Sequence, residues 1–321
     1  MAKRPSPIQR LGRRWGAPPL PRYDGNETFA GANLVREIRD DDMAGPLFTA
    51  LRRVLGAAES RAAGESHTDH LHAPDRPLPT IPGLDILLTP GFLQLTPAAI
   101  AETCLLVAEW AQESAYPLTR RSFTRAAAMS VPDDPETAHA AAMATLAVSD
   151  HPFTELWLRR VITGARRRGD WALYARAYLQ LSDVLLVLQP EASNAALTKS
   201  VRAAGRHGLI DLRAEAYLSR ARRALSAADH ASAHDWLRKA TRAFRRAKVD
   251  LTTRFDLVRV EALLLPFVRP TYEATRDRIF QAIPLAPSEL RQEILTALRD
   301  GAEAADDEAT AARCSRLLAR L

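Results

Sequence analysis

The most constraining feature of this sequence is a series of short breaks that divides residues 96–321 into helical stretches. Each stretch has about 12–18 residues, and the breaks carry proline, glycine or aspartate, as in "VPDDP" and "RRGD". Proline and aspartate favour the first turn of a helix, so many breaks also mark the start of the next helix. Short connections make consecutive helices antiparallel neighbours. The pattern therefore predicts about twelve helices that pair as antiparallel hairpins.

The composition favours helices over strands. Aromatic residues make up only 6% of the 321 residues, while alanine is abundant throughout. Alanine is the best helix former, whereas strands favour aromatic and β-branched side chains. Apolar residues make up 47% of the chain, which is enough to bury a large core. We therefore expect closely packed helices.

Alanine recurs at one position of the predicted hairpins. If Ala101 is taken as position 1, position 8 is alanine in four successive units: Ala108, Ala142, Ala175 and Ala221. The steps between them are 34, 33 and 46 residues, and the last step fits an insertion around "LQPEAS". Small residues are needed where helix backbones approach to about 8–10 Å. The recurrence predicts hairpins that stack in series.

Four residues of the third unit align with the first-helix signature W-x2-L-G-x2-Y of tetratricopeptide (TPR) repeats: Trp171, Tyr174, Ala175 and Tyr178. Tyrosine replaces the leucine, and alanine replaces the glycine. Residues 214–244 resemble a whole repeat, although Arg220 stands where the family has leucine. The chain thus resembles TPR proteins, well over 95–250 and weakly over 251–321. The resemblance implies an all-α fold, an α-solenoid of about five to six antiparallel helix hairpins.

The TPR resemblance also implies a set of partner-binding residues. The first helix of each TPR repeat faces a concave groove, and the groove positions in the repeat that begins at Ala214 are Glu215, Leu218, Arg222, Leu225 and Ser226. Arg176 occupies the position of Arg222 in the preceding repeat. A guanidinium can clamp a carboxylate or phosphate through its planar fork. The resemblance implies a non-enzymatic scaffold or adaptor that binds a segment of a partner protein, acidic or with a free C-terminal carboxylate, in the groove.

Composition divides the chain into three regions. Residues 1–30 combine prolines and basic residues with no apolar period, which predicts a disordered basic arm. Residues 31–95 hold short helical patterns and a Pro-rich linker. Residues 96–321 form the predicted TPR-like solenoid.

The second region contains three patterned segments. Asn33–Asp42 and Pro46–Ala63 are helical patterns separated by "MAG", and Pro46 fits the first turn of the second helix. The third segment, "GLDILLTPGFLQL", is apolar but interrupted by glycine and proline. It fits either a short extended segment or a capping element for the helices that follow.

Charge is distributed unevenly along the chain. Residues 1–25 carry a net charge of +5, 26–150 of −8, 151–260 of +11 and 261–321 of −2. A basic arm and a basic middle region are typical of proteins with acidic partners, including nucleic acids. An alternative function is therefore a nucleic-acid-associated regulator. A third reading is a structural subunit of a larger assembly, anchored by its arm.

The sequence contains no pattern that indicates catalysis or a cofactor. It has no Gly-rich phosphate loop. The histidines of "SHTDHLH" (His67, His70 and His72) lie in the predicted linker without a helix to fix them, and His230 and His234 lack the glutamate of a metalloprotease motif. Cys104 and Cys314 fall in helical patterns and fit reduced core thiols. We therefore predict no enzyme activity, no cofactor and no metal.

The N-terminal sequence is basic, but no apolar segment follows it, so it does not resemble a secretory signal. No apolar run approaches the ~18 residues that a membrane-spanning helix needs. These observations predict a cytoplasmic protein without a membrane partner.

Overall fold

In a computed structural model of the chain, the described residues are 41–64, 80–247, 251–267 and 271–321, and these residues form α-helices, short 3-10 helices and no strand. The α-helices are α1 (Asp41–Ala63), α2 (Leu84–Leu88), α3 (Pro97–Glu113), α4 (Pro117–Ser130), α5 (Pro135–Ala147), α6 (His151–Arg168), α7 (Trp171–Val184), α8 (Pro190–Arg206), α9 (Ile210–Ser226), α10 (His230–Phe244), α11 (Leu251–Leu263), α12 (Tyr272–Ala282), α13 (Ser288–Glu303) and α14 (Glu308–Leu318). The chain divides into two compact units, Met1–Ser193 and Asn194–Leu321. The all-α prediction is confirmed for the described residues.

Local capping contacts explain where many of the helices begin. The side chains of Asp134, Asp170, Asp229 and Asp307 each accept a hydrogen bond from the backbone N–H three residues later, at 2.9–3.1 Å. Thr96 caps α3 in the same way. Each cap satisfies an N–H group that has no partner within the helix. The predicted breaks therefore lie within about four residues of the ends of the helices α3 to α14.

The structure corrects the predicted start of the first described helix. We expected a break at "MAG" and Pro46 in the first turn, but α1 begins at Asp41 and contains Pro46. Proline lacks a backbone N–H, so at Pro46 the helix loses one hydrogen bond, to the carbonyl four residues upstream in its first turn. Most of the predicted helix Asn33–Asp42, like the arm 1–30 and the segment "SHTDHLH", lies outside the described residues.

The segment "GLDILLTPGFLQL" caps the first core of unit 1. It forms α2 and a 3-10 helix, Pro90–Gln94, and it buries the apolar side chains of Leu84, Leu87, Leu88 and Phe92. The buried Arg53 of α1 donates hydrogen bonds to the carbonyls of Leu87 at 2.7 Å and Thr89 at 2.9 Å. Its guanidinium also lies 5.0 Å from the ring centre of Phe92. One arginine thus holds the capping segment against α1.

In unit 1, the helices after the capping segment pack in adjacent pairs. Helix α3 packs against α4, and α5 packs against α6, while α4 also contacts α5 and α6 contacts α7. Ala108, Ala142 and Ala175 are all buried, as the alanine recurrence predicts. Their small side chains allow neighbouring helices to approach closely.

In unit 2, α9 packs against α10 and α13 packs against α14, while α11 contacts α10, α12 and α13. Ala221 is buried in the core between α9 and α10. One close helix approach involves Gly301 of α13, because a Cβ atom there would lie 2.5 Å from the carbonyl oxygen of Ala262 on α11. The stacking of all these pairs into a TPR-like solenoid stays a prediction.

Candidate interaction surfaces

The predicted groove residues of unit 2 occupy different environments. Leu218 is fully buried in the core between α9 and α10, and Leu225 packs against the same core. Glu215 is half-buried, whereas Arg222 and Ser226 are exposed. Leu218 therefore stabilises the helix pair and does not present its side chain to solvent, because the facing helix α10 covers it.

Arg222 already has a carboxylate partner within its own unit. Its guanidinium forms an ion pair with Asp256 of α11. Asp256 also pairs with Arg259 at 2.9 Å, and Arg259 pairs with Glu293 of α13 at 3.1 Å. This chain of ion pairs connects α9, α11 and α13. A partner carboxylate at Arg222 would compete with Asp256, although exposed ion pairs contribute only about 0.2–1 kcal/mol.

Arg176, the groove residue predicted in unit 1, is exposed and forms no ion pair with the described residues. Around it on α7, the rings of Trp171 and Tyr174 contact edge to face at 5.6 Å, and those of Tyr174 and Tyr178 do so at 4.9 Å. Ala175 is completely buried. Helix α7 thus combines a packed aromatic cluster with one exposed cation.

The connection from α7 to α8 exposes three consecutive large apolar side chains. Leu186 is 42%, Val187 86% and Leu188 75% exposed, and we call these three residues the apolar loop. Folding normally favours burial of such side chains by about 1.5–3 kcal/mol each. The sequence pattern did not predict this loop. Its signal in the sequence is the apolar run 185–188, which ends two residues before Pro190 and leads into the predicted break "LQPEAS".

A second surface crosses α8, α9 and α10 in unit 2. We call it the basic surface, and its residues are Thr198, Arg202, Tyr217, Arg220, Trp236 and Lys239. Arg220 donates a hydrogen bond from Nη2 to Thr198 Oγ1 at 2.7 Å, and its guanidinium lies 4.5 Å from the ring centre of Trp236. The Lys239 ammonium lies 3.9 Å from the same ring centre. Arg220, the residue that departs from the TPR pattern, thus connects three helices.

Like charges surround Arg220 on this surface. Partial burial lowers the pKa of Arg220, and the neighbouring cations Arg223 and Arg202 lower the pKa further, while Tyr217 raises it. Neither Arg202 nor Arg220 forms an ion pair with a described residue, and Lys239 shares the carboxylate of Asp235 with Arg238. The basic surface therefore carries positive charge that the described part of the chain does not neutralise.

The two cysteines have the environment of core residues. Both are free thiols and both are buried. Burial raises the pKa of Cys104 far above its usual range and that of Cys314 to about 11. A thiol needs a lowered pKa to act as a nucleophile near neutral pH, so neither environment activates the sulfur.

His230 and His234, four residues apart in the sequence, lie in different environments. His230 stacks on Phe267, with ring centres 3.5 Å apart, and His234 is exposed. Across the described ranges, no group of three His, Cys, Asp or Glu residues is arranged to hold a metal ion.

An open cleft of about 580 Å³ lies in unit 2 between the first turn of α12 and the turn that joins α13 to α14. Beside it, the Tyr272 hydroxyl donates a hydrogen bond to Asp307 Oδ2 at 2.9 Å. Burial and this hydrogen bond raise the pKa of Tyr272 to about 12, so the phenol stays protonated at neutral pH. Asp307 also caps α14, which gives the pair a structural role.

No model of a known protein family matches this sequence, and a comparison with curated proteins finds no relative. Of the helices in the described part of the chain, none is both long and apolar enough to cross a membrane.

Proposed function

We propose that this protein is a non-enzymatic interaction scaffold or adaptor with the architecture of a TPR-like α-solenoid. Its ligand is a segment of a partner protein that carries both apolar and acidic side chains. The observation that carries this proposal is the apolar loop at the end of α7, the helix that also exposes Arg176.

The chemistry of the apolar loop suits a protein partner. The cores of protein interfaces are apolar and depleted of charge, and a few anchor residues contribute most of the binding energy. Val187 and Leu188 are exposed enough to become such anchors. Arg176 has no ion pair with the described residues, so a partner carboxylate can bind it without displacing another group.

The groove residue Arg222 has a secondary place in this proposal. A partner that binds Arg222 must first replace Asp256, which reduces the net gain from that contact. We therefore expect Arg176 to contribute more to partner binding than Arg222 does.

The experiment begins with affinity purification of partners from the native host with the full chain as bait. Binding of the purified partner is then measured by calorimetry with three variants: Val187→Ser combined with Leu188→Ser, Arg176→Glu alone, and Arg176→Glu combined with Arg222→Glu. We expect the first two to weaken binding about fivefold or more, since loss of an interface anchor exceeds about 1 kcal/mol.

Matched controls come from unit 2. Leu285→Ser removes an apolar side chain that is 76% exposed, close to the 75% of Leu188. Arg316→Glu reverses an exposed arginine on α14. The proposal fails if the loop variant and the Leu285 control bind the partner equally well, or if reversal of both Arg176 and Arg222 leaves the affinity unchanged.

A further inference from the structure

We propose that the basic surface binds the phosphate backbone of a nucleic acid. This function is additional to partner binding by the apolar loop and Arg176, which belong to the other unit.

Positive charge is concentrated on the three helices that form the basic surface. Residues 194–247 carry twelve Lys and Arg residues against four Asp and Glu, a net charge of +8. The remaining described residues of unit 2, within 251–321, carry nine basic and eleven acidic residues. Many of those basic residues form ion pairs, such as Arg278 with Glu261 at 3.0 Å. The surplus of positive charge in unit 2 therefore belongs to α8, α9 and α10.

The geometry of Arg220 suits an external phosphate. The Trp236 ring lies beside the guanidinium, and the hydrogen bond to Thr198 uses one of its N–H groups. The described part of the chain provides no carboxylate for the remaining N–H groups. A guanidinium held in this way presents a planar fork that matches two phosphate oxygens. Arg202 and Lys239 add cations next to it, as a backbone with repeated phosphates requires.

The lack of apolar anchors favours a nucleic acid over an acidic protein. The exposed large apolar side chains of unit 2 lie elsewhere, at Leu263, Phe267, Leu285 and Leu321. Among the described residues, none of them falls between Asn194 and Ala247. Protein interfaces depend on apolar and aromatic anchors in desolvated pockets. Nucleic-acid interfaces are more polar and strongly positive, and many also use aromatic side chains such as Tyr217 and Trp236.

The test measures binding of the full chain to a fluorescent single-stranded 20-nucleotide probe of mixed sequence, by anisotropy from 50 to 300 mM salt. For single strands, each phosphate contact contributes about 0.7 to the slope of log K against log salt. Between 1 M and 0.1 M salt, this slope corresponds to about fivefold in affinity for each contact. We expect Arg202→Ala to lower affinity about fivefold and the slope by about 0.7. Combined replacement of Arg202, Arg220 and Lys239 by alanine should lower affinity about 100-fold.

The choice of the test variant and two controls make the result specific. Arg202 is exposed, so its replacement tests the surface without disturbing the packing of Trp236. Arg316→Ala removes one exposed arginine of α14 and should leave affinity within about twofold of the unmodified chain. A polyglutamate peptide of similar length should bind at least tenfold more weakly than the oligonucleotide.

Several outcomes would overturn the proposal. One is the absence of salt-dependent oligonucleotide binding at 50 mM salt. Another is equal binding by the unmodified chain and the Arg202 variant, which would place the contact elsewhere, for example in the basic arm. If polyglutamate binds as tightly as the oligonucleotide with the same loss in the variants, the surface recognises an acidic protein.

Discussion

Replacement of Gly301 by alanine tests the close approach of α13 to α11. The added Cβ would lie 2.5 Å from the carbonyl oxygen of Ala262, and this neighbour is backbone that cannot rotate away. Overpacking of this kind typically costs about 1–3 kcal/mol. In an exposed helix, the same substitution would stabilise by up to about 1 kcal/mol through helix propensity. Because the clash is with backbone, we expect a cost in the upper part of the first range, which leaves a net loss of about 1–2 kcal/mol in the free energy of unfolding.

Gly205 provides a matched control for this substitution. It also lies in a helix, α8, but a Cβ atom there would meet nothing within 4 Å. We therefore expect Gly205→Ala to stabilise the protein slightly and Gly301→Ala to destabilise it.

Thermal unfolding followed by circular dichroism measures both effects. For a unit the size of Asn194–Leu321, 1 kcal/mol corresponds to about 4 °C in Tm, so Gly301→Ala should lower Tm by about 4–8 °C. Hydrogen exchange should locate the loss of protection in α11 and α13. If Gly301→Ala raises Tm as Gly205→Ala does, the proposed close approach is wrong.

Two further predictions concern unit 1. Arg53→Ala should lower the free energy of unfolding by about 2–4 kcal/mol in urea denaturation, because it leaves the buried carbonyl of Leu87 and the part-buried carbonyl of Thr89 without this donor. Arg52→Ala should have a much smaller effect. Burial raises the pKa of Asp134, but hydrogen bonds from Thr137 and Arg168 outweigh it and hold that pKa below the usual range. A carboxyl group whose pKa is lowered by folding stabilises the protein above its unfolded pKa and loses that contribution as pH falls through the folded pKa. Asp134→Asn keeps a capping oxygen but has no carboxyl group to titrate. This variant should therefore lose less stability between pH 5 and about pH 3 than the unmodified chain. Equal losses in both proteins would contradict the lowered pKa of Asp134.

Much of the secondary structure could be predicted because its causes are local. An aspartate cap contacts an N–H group three residues away, so Asp170 and Asp229 mark helix starts in the sequence itself. The buried alanines were also predictable, since their recurrence at one repeat position indicates where helices meet. The start of α1 was predicted wrongly because Pro46 was taken as a first-turn residue, and a proline one turn later is also tolerated.

The candidate surfaces were harder to predict because they depend on residues distant in sequence. Arg222 and Asp256 are 34 positions apart, and no local pattern shows that they meet. Leu218 was expected in a groove, yet the helix that faces it covers its side chain. Arg220 departed visibly from the repeat pattern, but only its contacts with Thr198 and Trp236 show that it connects three helices.

The sequence alone determined that the described chain is helical, where most helices begin and end, and which alanines are buried. These properties follow from capping, helix propensity and periodicity, all of which act within a few residues. Only the tertiary structure decided which charges are neutralised and which apolar side chains stay exposed. A helix face acquires its environment from the neighbours that pack against it, and sequence periodicity identifies the face without identifying those neighbours.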